Sequence, residues 1–311
     1  MDQKQKWVFI INPVAGNGFG LSQTDKIKEM IKKYDLDADV VYTERRGHAS
    51  ELSKEYARNG YKYIIAVGGD GTFNEVAAPL VFNKDVITGQ ISGGTANGTN
   101  EIAGFPDRFH EKDWESFFKA NVISMDVGLC NEKFFFFTGV QFGLAVQVAQ
   151  KFNESREAGE KQNYLWLVLK TILFFKEKRM IVISEGKRTE TDCFINTVSN
   201  GARTYAKSFL LTPTAIANDG LLDICSIMKL SLPQRIRILL SVPKGTHLKD
   251  KKVQYYQTPK LSLEFPVKVP FHADGEIFYA QHFELSVIRN GLNLIYNPEG
   301  DHHFFNIRQE S

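Results

Sequence analysis

Residues 67–78 read VGGDGTFNEVAA, which places three glycines and an aspartate directly after an apolar run. The run from Tyr61 to Val67 is typical of a buried strand, and a helical pattern begins at Phe73. The glycines leave the backbone between the two almost without side chains. Something therefore has to approach this backbone closely, and backbone N–H groups at the start of a helix form a site suited to an anion.

The sequence around this stretch alternates short apolar runs with helical periodicity from Lys6 to about Leu129. The runs WVFII, ADVVY and YKYIIAV are typical of strands, and the segments between them have the spacing of amphipathic helices. Strands and helices that alternate with brief connections predict a parallel sheet covered by helices. Ligands of such sheets bind at the carboxyl ends of the strands.

The pattern changes after about Asp126. Short runs rich in Phe, Val and Ile follow one another, with helical material only at residues 143–175 and near Leu232 to Val242. This half has the pattern of an antiparallel sandwich or barrel. We therefore expect an α/β protein with two domains, one with a helix-covered parallel sheet over residues 1–126 and a β-rich sandwich domain from residue 127.

The composition is that of a globular protein with a substantial core. The chain has 38 Lys and Arg against 36 Asp and Glu, and a net charge of +2 gives no overall argument for nucleic acid. Its three cysteines, Cys130, Cys193 and Cys225, lack metal-site spacing and suit a reducing compartment. The longest apolar stretch, Tyr164 to Phe175, is too short to span a bilayer, so we expect a cytoplasmic protein.

Three glycine-bearing turns follow predicted strands in the first half. They are INPVAGNGFG at 11–20, GGDGT at 68–72 and SGGTANGTN at 92–100. The chain has no GxxxxGK[ST] motif, and Gly16, Gly18 and Gly20 miss the GxGxxG spacing of a dinucleotide fold. Glu44, after the second strand, could still act as the ribose-binding acid of such a fold. Glycine clusters are also common in ordinary tight turns.

Five motifs together resemble one family. GGDGTFNEV, NPVAG near the start, GTAN at 94–97, PTAIANDGLLDI at 213–224 and HADGE at 272–276 are similar to motifs of the diacylglycerol kinase catalytic family, which includes bacterial lipid kinases, sphingosine kinases and ceramide kinases. They occur in the family's order over nearly the whole chain. The resemblance implies a first domain like that of NAD kinases and phosphofructokinases, a sandwich over 127–292, and a segment, 293–311, that returns to the first domain.

The resemblance implies that ATP lies across the first domain. The expected nucleotide contacts are Asn12, Pro13, Gly16, Thr43, Gly68, Gly69, Asp70, Gly71, Thr72, Asn74, Gly94 and Thr95. Asp70 would also help to organise Mg²⁺ beside the phosphates, a role suited to a hard oxygen ligand. From the residues alone, Asp70 could equally stabilise a turn or cap the helix at Phe73.

The HADGE motif supplies two further carboxylates. In an extended segment Asp274 and Glu276 would point the same way and could face one cleft. The resemblance makes Glu276 the base that accepts the proton of a lipid hydroxyl, with Asp274 in the same catalytic network. Asp-Gly is also a strong hairpin signal, so a simple turn remained an alternative.

The PTAIANDGLLDI motif carries a structural magnesium site in the family. The resemblance implies the Asp219 carboxylate and the backbone carbonyls of Ile216 and Leu221 as its ligands, a set that suits a hydrated Mg²⁺. A metal-free β-turn at residues 218–220 is the alternative.

The chain departs from the family pattern at two places. The family usually has PxGTxND in the third loop, where this chain has Ser92 and Gly98, so Asn100 or Glu101 would have to take the place of an aspartate. A diglycine after the NG of residues 200–201 is replaced by Ala206 and Lys207. These departures affect the metal network and the acceptor side.

The motifs favour an ATP-dependent lipid kinase that transfers the γ-phosphate of MgATP to a lipid hydroxyl, most simply that of diacylglycerol. An NAD-kinase-like enzyme and a non-catalytic lipid- or nucleotide-sensing protein are the alternatives. A homodimer is a separate expectation for the oligomeric state. A lipid acceptor requires transient docking at a membrane surface. Candidate contacts are the apolar segment 164–175 and the basic residues Arg45, Arg46, Lys176, Lys178, Arg179, Lys249, Lys251 and Lys252.

Overall fold

The computed structural model of the chain describes residues 4–94, 97–157, 164–202, 210–274 and 276–305. Its strands are β1 (Lys6–Ile11), β2 (Asp37–Tyr42), β3 (Tyr63–Gly68), β4 (Ile87–Ser92), β5 (Val122–Cys130), β6 (Phe134–Phe136), β7 (Gly139–Gly143), β8 (Lys178–Ser184), β9 (Lys187–Ser199), β10 (Leu222–Met228), β11 (Val253–Thr258), β12 (Lys260–Ala273) and β13 (Glu276–Ile295). Its α-helices are α1 (Phe19–Ser22), α2 (Thr24–Lys33), α3 (His48–Arg58), α4 (Asp70–Ala77), α5 (Gly98–Ile102), α6 (Glu111–Phe118), α7 (Leu144–Glu157), α8 (Tyr164–Phe174) and α9 (Leu232–Ser241).

The chain forms two compact units, each built from separate segments. The first unit contains Met1–Val127, Ile216–Gly220 and Ile288–Ser311, and the second contains Gly128–Ala215 and Leu221–Val287. A short internal loop and the end of the chain thus belong with the amino-terminal part. The boundaries 1–126, 127–292 and 293–311 stay a prediction about parts that fold independently.

The first unit contains a parallel sheet in the strand order β13, β4, β3, β1, β2. Only the last residues of β13 belong to this sheet. Its strands form because β1 and β3 are almost continuously apolar and are buried along nearly their whole length. The register places Ile11 beside both Val67 and Tyr42, and Gly68 beside Ser92. The parallel strands therefore end at one level, and the loops that follow them meet at one edge.

The second unit is antiparallel, in the order β11, β10, β9, β7, β12, β13, with β8 paired to β9 and β12. One of its apolar clusters is rich in aromatic rings, including Phe142, Phe265, Phe271 and Phe283. A second cluster gathers apolar residues of α7, α8 and α9 with those of β9 and β10. The β-rich character is confirmed, and so are the helices expected near 232–242 and, within 143–175, at 144–157 and 164–174; residues 158–163 lie outside the described residues.

The three cysteines are buried and unbridged, as their spacing predicted. Burial raises the pKa of each thiol to about 12, so the thiolate is scarce near neutral pH. They act as small core residues.

One predicted boundary is wrong. Helix α4 begins at Asp70, three residues before the expected start at Phe73. Asp70 is favourable there because an acidic side chain in the first turn interacts well with the positive end of the helix dipole. Only Gly69 therefore lies between β3 and α4, and residues 70–72 of GGDGT are in the first helical turn.

Candidate functional site

The loops that follow the parallel strands are held together at the carboxyl edge of the first unit's sheet. The backbone ladder continues one residue past the strands, because the N–H of Asn12 donates to Val67 O and the N–H of Gly93 to Gly68 O, each at 2.9 Å. The N–H of Thr43 donates to Ile11 O at 2.9 Å. The predicted nucleotide segments after β1, β2, β3 and β4 therefore meet at this edge.

Most glycines of this edge are required by contacts between the loops themselves. A Cβ on Gly16 would lie 2.2 Å from Gly93 O, and one on Gly94 would lie 2.5 Å from the Cα of Gly69. A Cβ on Gly68 would meet the side chain of Thr72 at 2.5 Å. Real Cβ atoms do not approach other atoms so closely, so these positions need glycine whether or not a ligand binds.

Gly71 is different. A Cβ at this position would meet no heavy atom within 4 Å, apart from the nearby backbone of its own helix. It lies in the first turn of α4, where the helix start has no side-chain cap and the first bond back to the N-cap is made by the N–H of Phe73. The N–H groups of Asp70, Gly71 and Thr72 precede that bond and lie at the positive end of the helix dipole. Open space beside such donors fits an anionic group.

Polar side chains fasten the other loops to α4. Asn12 donates from Nδ2 to Oγ1 of Thr72 at 3.1 Å, which links the first loop to the helix. Glu75 accepts a hydrogen bond from the N–H of Gly47 at 2.9 Å and so links the loop after β2 to the same helix. Nothing in the sequence around Glu75 indicates this partner 28 residues away.

The third loop, after β4, is closed by its own asparagines. Asn97 has a left-handed backbone and bonds Gly94 twice, accepting from its N–H at 3.0 Å and donating to its carbonyl at 3.1 Å. Buried Asn100 donates to the hydroxyl of Ser92, the residue that stands in place of the family's proline. Ser92, one of the two departures in this loop, thus bonds Asn100, one of the two residues suggested in place of the family's aspartate. Thr95, a predicted nucleotide contact, lies outside the described residues, and so do Ala206 and Lys207.

The HADGE segment is a hairpin turn, and the expectation of an extended segment is wrong. Ala273 at the end of β12 pairs with Glu276 at the start of β13, so the chain reverses direction between these two residues. Asp274 has a positive φ of 42°, as the favoured two-residue turns require. Asp274 and Glu276 therefore do not lie two apart on one strand, because the cross-strand pairing of β12 and β13 decides the local conformation.

The Asp274 carboxylate is buried and accepts several hydrogen bonds. Oδ1 accepts from the N–H of Thr138 at 3.0 Å, from its hydroxyl at 2.5 Å and from the N–H of Gly139 at 3.2 Å, while Oδ2 accepts from the N–H of Phe137 at 2.5 Å. Asn200 binds the same segment, since its N–H donates to Thr138 O at 2.9 Å. Neither Thr138 nor Asn200 was singled out from the sequence.

Burial raises the pKa of the Asp274 carboxyl, and the hydrogen bonds from Thr138, Phe137 and Gly139 oppose that rise. Nearby in the sequence, burial lowers the pKa of His272 to about 4. Asp274 thus fixes the turn from which Glu276 extends. Glu276 itself is partly buried.

The loop of residues 216–220 meets a carboxylate that sequence reasoning missed. Asp126, buried in the middle of β5, accepts from the N–H of Gly220 and from the N–H of Asn290, each at 2.6 Å. Burial raises the pKa of Asp126, and the negative charge of Asp219 adds to the rise. Two neighbouring carboxylates of this kind are a setting that a cation would stabilise.

The described residues contain no group of three or more His, Cys, Asp or Glu side chains that could hold a metal ion. A cation near Asp219 would therefore depend on backbone carbonyls and water for its remaining ligands, which is the kind of set expected for Ile216, Asp219 and Leu221. Ile216 and Asp219 belong to the first unit, whose internal segment ends at Gly220, and Leu221 belongs to the second unit. The metal assignment stays a prediction.

A parallel-sheet unit and an antiparallel unit together define a class of two-unit α/β proteins. Comparison with known families identifies the family within this class. Residues 6–130 match the model described as the diacylglycerol kinase catalytic domain. Residues 138–296 match the model described as the YegS C-terminal NAD kinase beta sandwich-like domain. The chain belongs to the diacylglycerol kinase catalytic family, and the expected fold class is confirmed.

Relatives of known name agree. The chain is 25% identical over 275 residues to "Diacylglycerol kinase" of Bacillus subtilis strain 168, covering 86% of this chain and 88% of that protein. It is 26% identical over 266 residues to "Probable lipid kinase YegS-like" of Enterobacter sp. strain 638, covering 84% and 86%. A crystal structure of a diacylglycerol kinase from Bacillus anthracis strain Sterne superimposes with a TM-score of 0.75 at 20% identity, covering 96% of this chain and 99% of that one, which supports the fold.

The family is one of lipid kinases, so the chain is an enzyme of kinase type, and kinases use ATP and typically a divalent metal. Within the residues that the structure describes, no helix combines the length and the apolar character needed to cross a bilayer.

Proposed function

We propose that this protein is an ATP-dependent kinase that transfers the γ-phosphate of MgATP to the hydroxyl of diacylglycerol or a related lipid. The observation that carries the proposal is the start of α4, where Gly71 leaves open space beside backbone N–H groups at the carboxyl edge of a parallel sheet.

The residues of the carboxyl edge would bind and orient the triphosphate. The N–H groups of Asp70, Gly71 and Thr72 would donate to phosphate oxygens, and Asn12, Thr43 and Asn74 would lie around the nucleotide as the family pattern implies. Mg²⁺, held with the help of the Asp70 carboxylate, would neutralise charge on the phosphates. Phosphoryl transfer needs alignment and charge stabilisation more than covalent chemistry, and fixed backbone donors supply both.

Glu276 is our candidate for the base that takes the proton from the lipid hydroxyl. Its carboxylate follows a turn that Asp274 holds with four accepted hydrogen bonds, so its backbone position is well fixed. In this proposal Asp274 acts as a positioning residue and Glu276 contacts the reacting hydroxyl.

Paired substitutions test these two roles. Glu276→Gln should lower turnover by about 100-fold or more, because a positioned general base contributes on that order, and should leave ATP binding and unfolding unchanged. Asp274→Asn should lower the free energy of unfolding by about 3 kcal/mol, because the buried donors lose a charged acceptor. Turnover and ATP binding are measured beside chemical denaturation for both variants. Full turnover of Glu276→Gln would remove this residue from the mechanism.

The acceptor is identified by supplying radiolabelled ATP with a mixed lipid extract and analysing the labelled product. A phosphorylated diacylglycerol supports the proposal as stated, and another phosphorylated lipid would replace only the acceptor. Phosphorylation of NAD in a parallel reaction would favour the NAD-kinase-like alternative. ATP binding without transfer to any acceptor would favour the sensing alternative.

A further inference from the structure

Helix α8 exposes a stripe of large apolar side chains. Trp166, Leu169 and Leu173 follow at spacings of three and four residues and are exposed by 66%, 38% and 52%, and Phe174 at the helix end is exposed by 74%. Such spacing puts the three side chains on one face of the helix. The opposite face is buried, through Leu167, Thr171 and Ile172.

Helix α9 of the same unit repeats this arrangement. Leu232, Ile236 and Leu240 recur every four residues and are all exposed, while Arg235 and Ile238 face the interior. Scattered exposed apolar residues are ordinary, whereas an apolar stripe on each of two helices in contact points to an interaction surface.

Arg235 fastens the two helices to each other. From α9 its guanidinium donates to the carbonyl oxygens of Ile172 and Phe175, at 2.6 and 3.2 Å, at the carboxyl end of α8. It also forms an ion pair with the Glu177 carboxylate at 2.6 Å, and both side chains are largely buried. The stripes are thus presented by one braced pair of helices.

Among the described residues of α8, of α9 and of the segment that follows α8, the exposed charged side chains are all basic. Neither α8 nor α9 contains an acidic residue, and the acid that follows α8, Glu177, is occupied by Arg235. Lys170, Lys176 and Lys178 are exposed, and none of them forms an ion pair with any other described residue. An apolar surface bordered by lysines is complementary to a bilayer with anionic head groups.

We propose that the α8–α9 surface, defined by the two apolar stripes and these three lysines, docks the protein on an anionic lipid bilayer. The inference rests on the proposed function, because a membrane lipid as acceptor requires the enzyme to reach a bilayer. The apolar side chains enter the boundary between head groups and acyl chains, and the lysines lie among the head groups. A second copy of the chain fits less well, because a symmetric contact through this surface would bring like charges together.

Trp166 provides a direct readout. The chain has three tryptophans, and the other two, Trp7 and Trp114, are each 4% exposed. Adding vesicles made of equal amounts of phosphatidylglycerol and phosphatidylcholine should therefore shift the emission of Trp166 to shorter wavelength. Trp166→Phe should abolish this shift.

Sedimentation with the same vesicles, without ATP, measures binding. Leu173→Ser combined with Phe174→Ser, and separately Leu240→Ser, should lower the partition coefficient about tenfold or more. Lys176→Gln and Lys178→Gln should each lower it about fivefold, and salt or pure phosphatidylcholine vesicles should weaken wild-type binding. Val267→Ser, which changes a side chain exposed by 55% elsewhere in the second unit, and Lys187→Gln are the matched controls and should bind like the wild type.

The inference would be overturned if the α8 and α9 variants had the same partition coefficient as the wild type. It would also be overturned if vesicles left the emission wavelength of Trp166 in the wild type unchanged. Sedimentation velocity without lipid compares the oligomeric states of the wild type and of the Leu173→Ser, Phe174→Ser variant. A different oligomeric state of this variant would assign the surface to contact with a second copy of the chain instead. Phosphorylation of a soluble short-chain diacylglycerol separates docking from catalysis. Docking fails alone if the wild type phosphorylates this lipid but ignores vesicles, and the proposed function fails alone if it binds vesicles but phosphorylates no lipid.

Discussion

At the scale of single residues, two glycines of the carboxyl edge predict opposite outcomes of the same substitution. Gly71→Ala adds a methyl group where the nearest surroundings are open, so the free energy of unfolding should stay constant or rise by up to about 1 kcal/mol. The methyl group would occupy the space assigned to phosphate, and we expect ATP affinity to fall about tenfold or more, about 1.4 kcal/mol. Calorimetric titration with MgATP measures the affinity.

Gly94→Ala is the matched comparison. Its Cβ would lie 2.5 Å from the Cα of Gly69, and backbone cannot move aside as easily as a side chain. We expect a loss of about 1–3 kcal/mol of stability. Equal ATP affinity of wild type and Gly71→Ala would contradict the assignment of this space to phosphate.

His272 predicts a pH dependence of stability. Its pKa is about 4 in the folded protein, against 6.5 for an ordinary histidine, because burial disfavours the charged ring. The unfolded chain therefore takes up a proton near pH 6.5 that the folded protein takes up only near pH 4. The stability associated with the neutral ring is present above pH 6.5 and is lost as the pH falls towards 4, by up to about 3 kcal/mol.

Denaturation of the wild type and of His272→Gln across this pH range tests the assignment. The stability difference between the two proteins should narrow or reverse as the pH falls, because only the wild type carries this titration. Other histidines with lowered pKa values, such as His247 and His302, remain in both proteins and cancel in the comparison. Parallel stability curves would show that His272 contributes nothing to the slope.

At the scale of elements, periodic patterns predicted the elements well and their ends poorly. The strands β1 and β3 and the helices of residues 143–175 have strong apolar patterns and lie where the sequence indicated. The start of α4 was misplaced because glycine and aspartate are equally compatible with a loop and with a first helical turn. Asp-Gly indicated a hairpin turn at Asp274 only as an alternative, because a tripeptide does not contain the information on which residues of β12 and β13 pair.

Contacts distant in sequence explain the residues that were missed. Asp126 binds the N–H groups of Gly220 and Asn290, which are 94 and 164 residues away in the chain. No local spacing connects such positions. The residues of the first unit's carboxyl edge could be predicted because strand ends of a parallel sheet meet by topology, whereas side-chain partners across distant segments depend on the folded structure.

The ion pair of Arg235 with Glu177, which links α9 to the end of α8, predicts how substitutions change the stability. Arg235→Met leaves the buried Glu177 carboxylate without its ion pair and should cost about 3–5 kcal/mol of stability. Adding Glu177→Met should restore most of this loss, because no unpaired charge remains buried. Arg237→Met, two residues along the same helix, is the control, since its pairing with Asp250 involves an exposed guanidinium and should be worth less than about 1 kcal/mol. Chemical denaturation of the wild type and these three variants measures the losses, and a double variant as unstable as Arg235→Met would contradict the explanation.

At the scale of the whole molecule, the first unit is completed by the end of the chain. The last residues of β13 pair with β4, and Leu292, Leu294 and Ile295 are almost fully buried. Beyond the strand, the N–H of His303 donates to Ile102 O at 2.9 Å, and Phe304 is buried. The unit therefore depends on residues that lie far along the chain from its other strands.

A fragment of residues 1–127 should consequently fail to fold on its own. The fragment lacks the buried side chains of Leu292, Leu294 and Ile295, and their loss lowers the free energy of unfolding by roughly 5–9 kcal/mol. This loss is comparable with the whole free energy of unfolding of a typical domain, about 5–15 kcal/mol. We expect the fragment to lack a cooperative thermal transition in circular dichroism, while the full chain has one. As a second arm, Phe304→Ala in the full chain should lower stability by about 3 kcal/mol, and Phe305→Ala, whose ring is 61% exposed, should change it little. A fragment that unfolds cooperatively near the temperature of the full chain would instead establish residues 1–127 as an independent domain, as the boundary predicted at residue 126 implies.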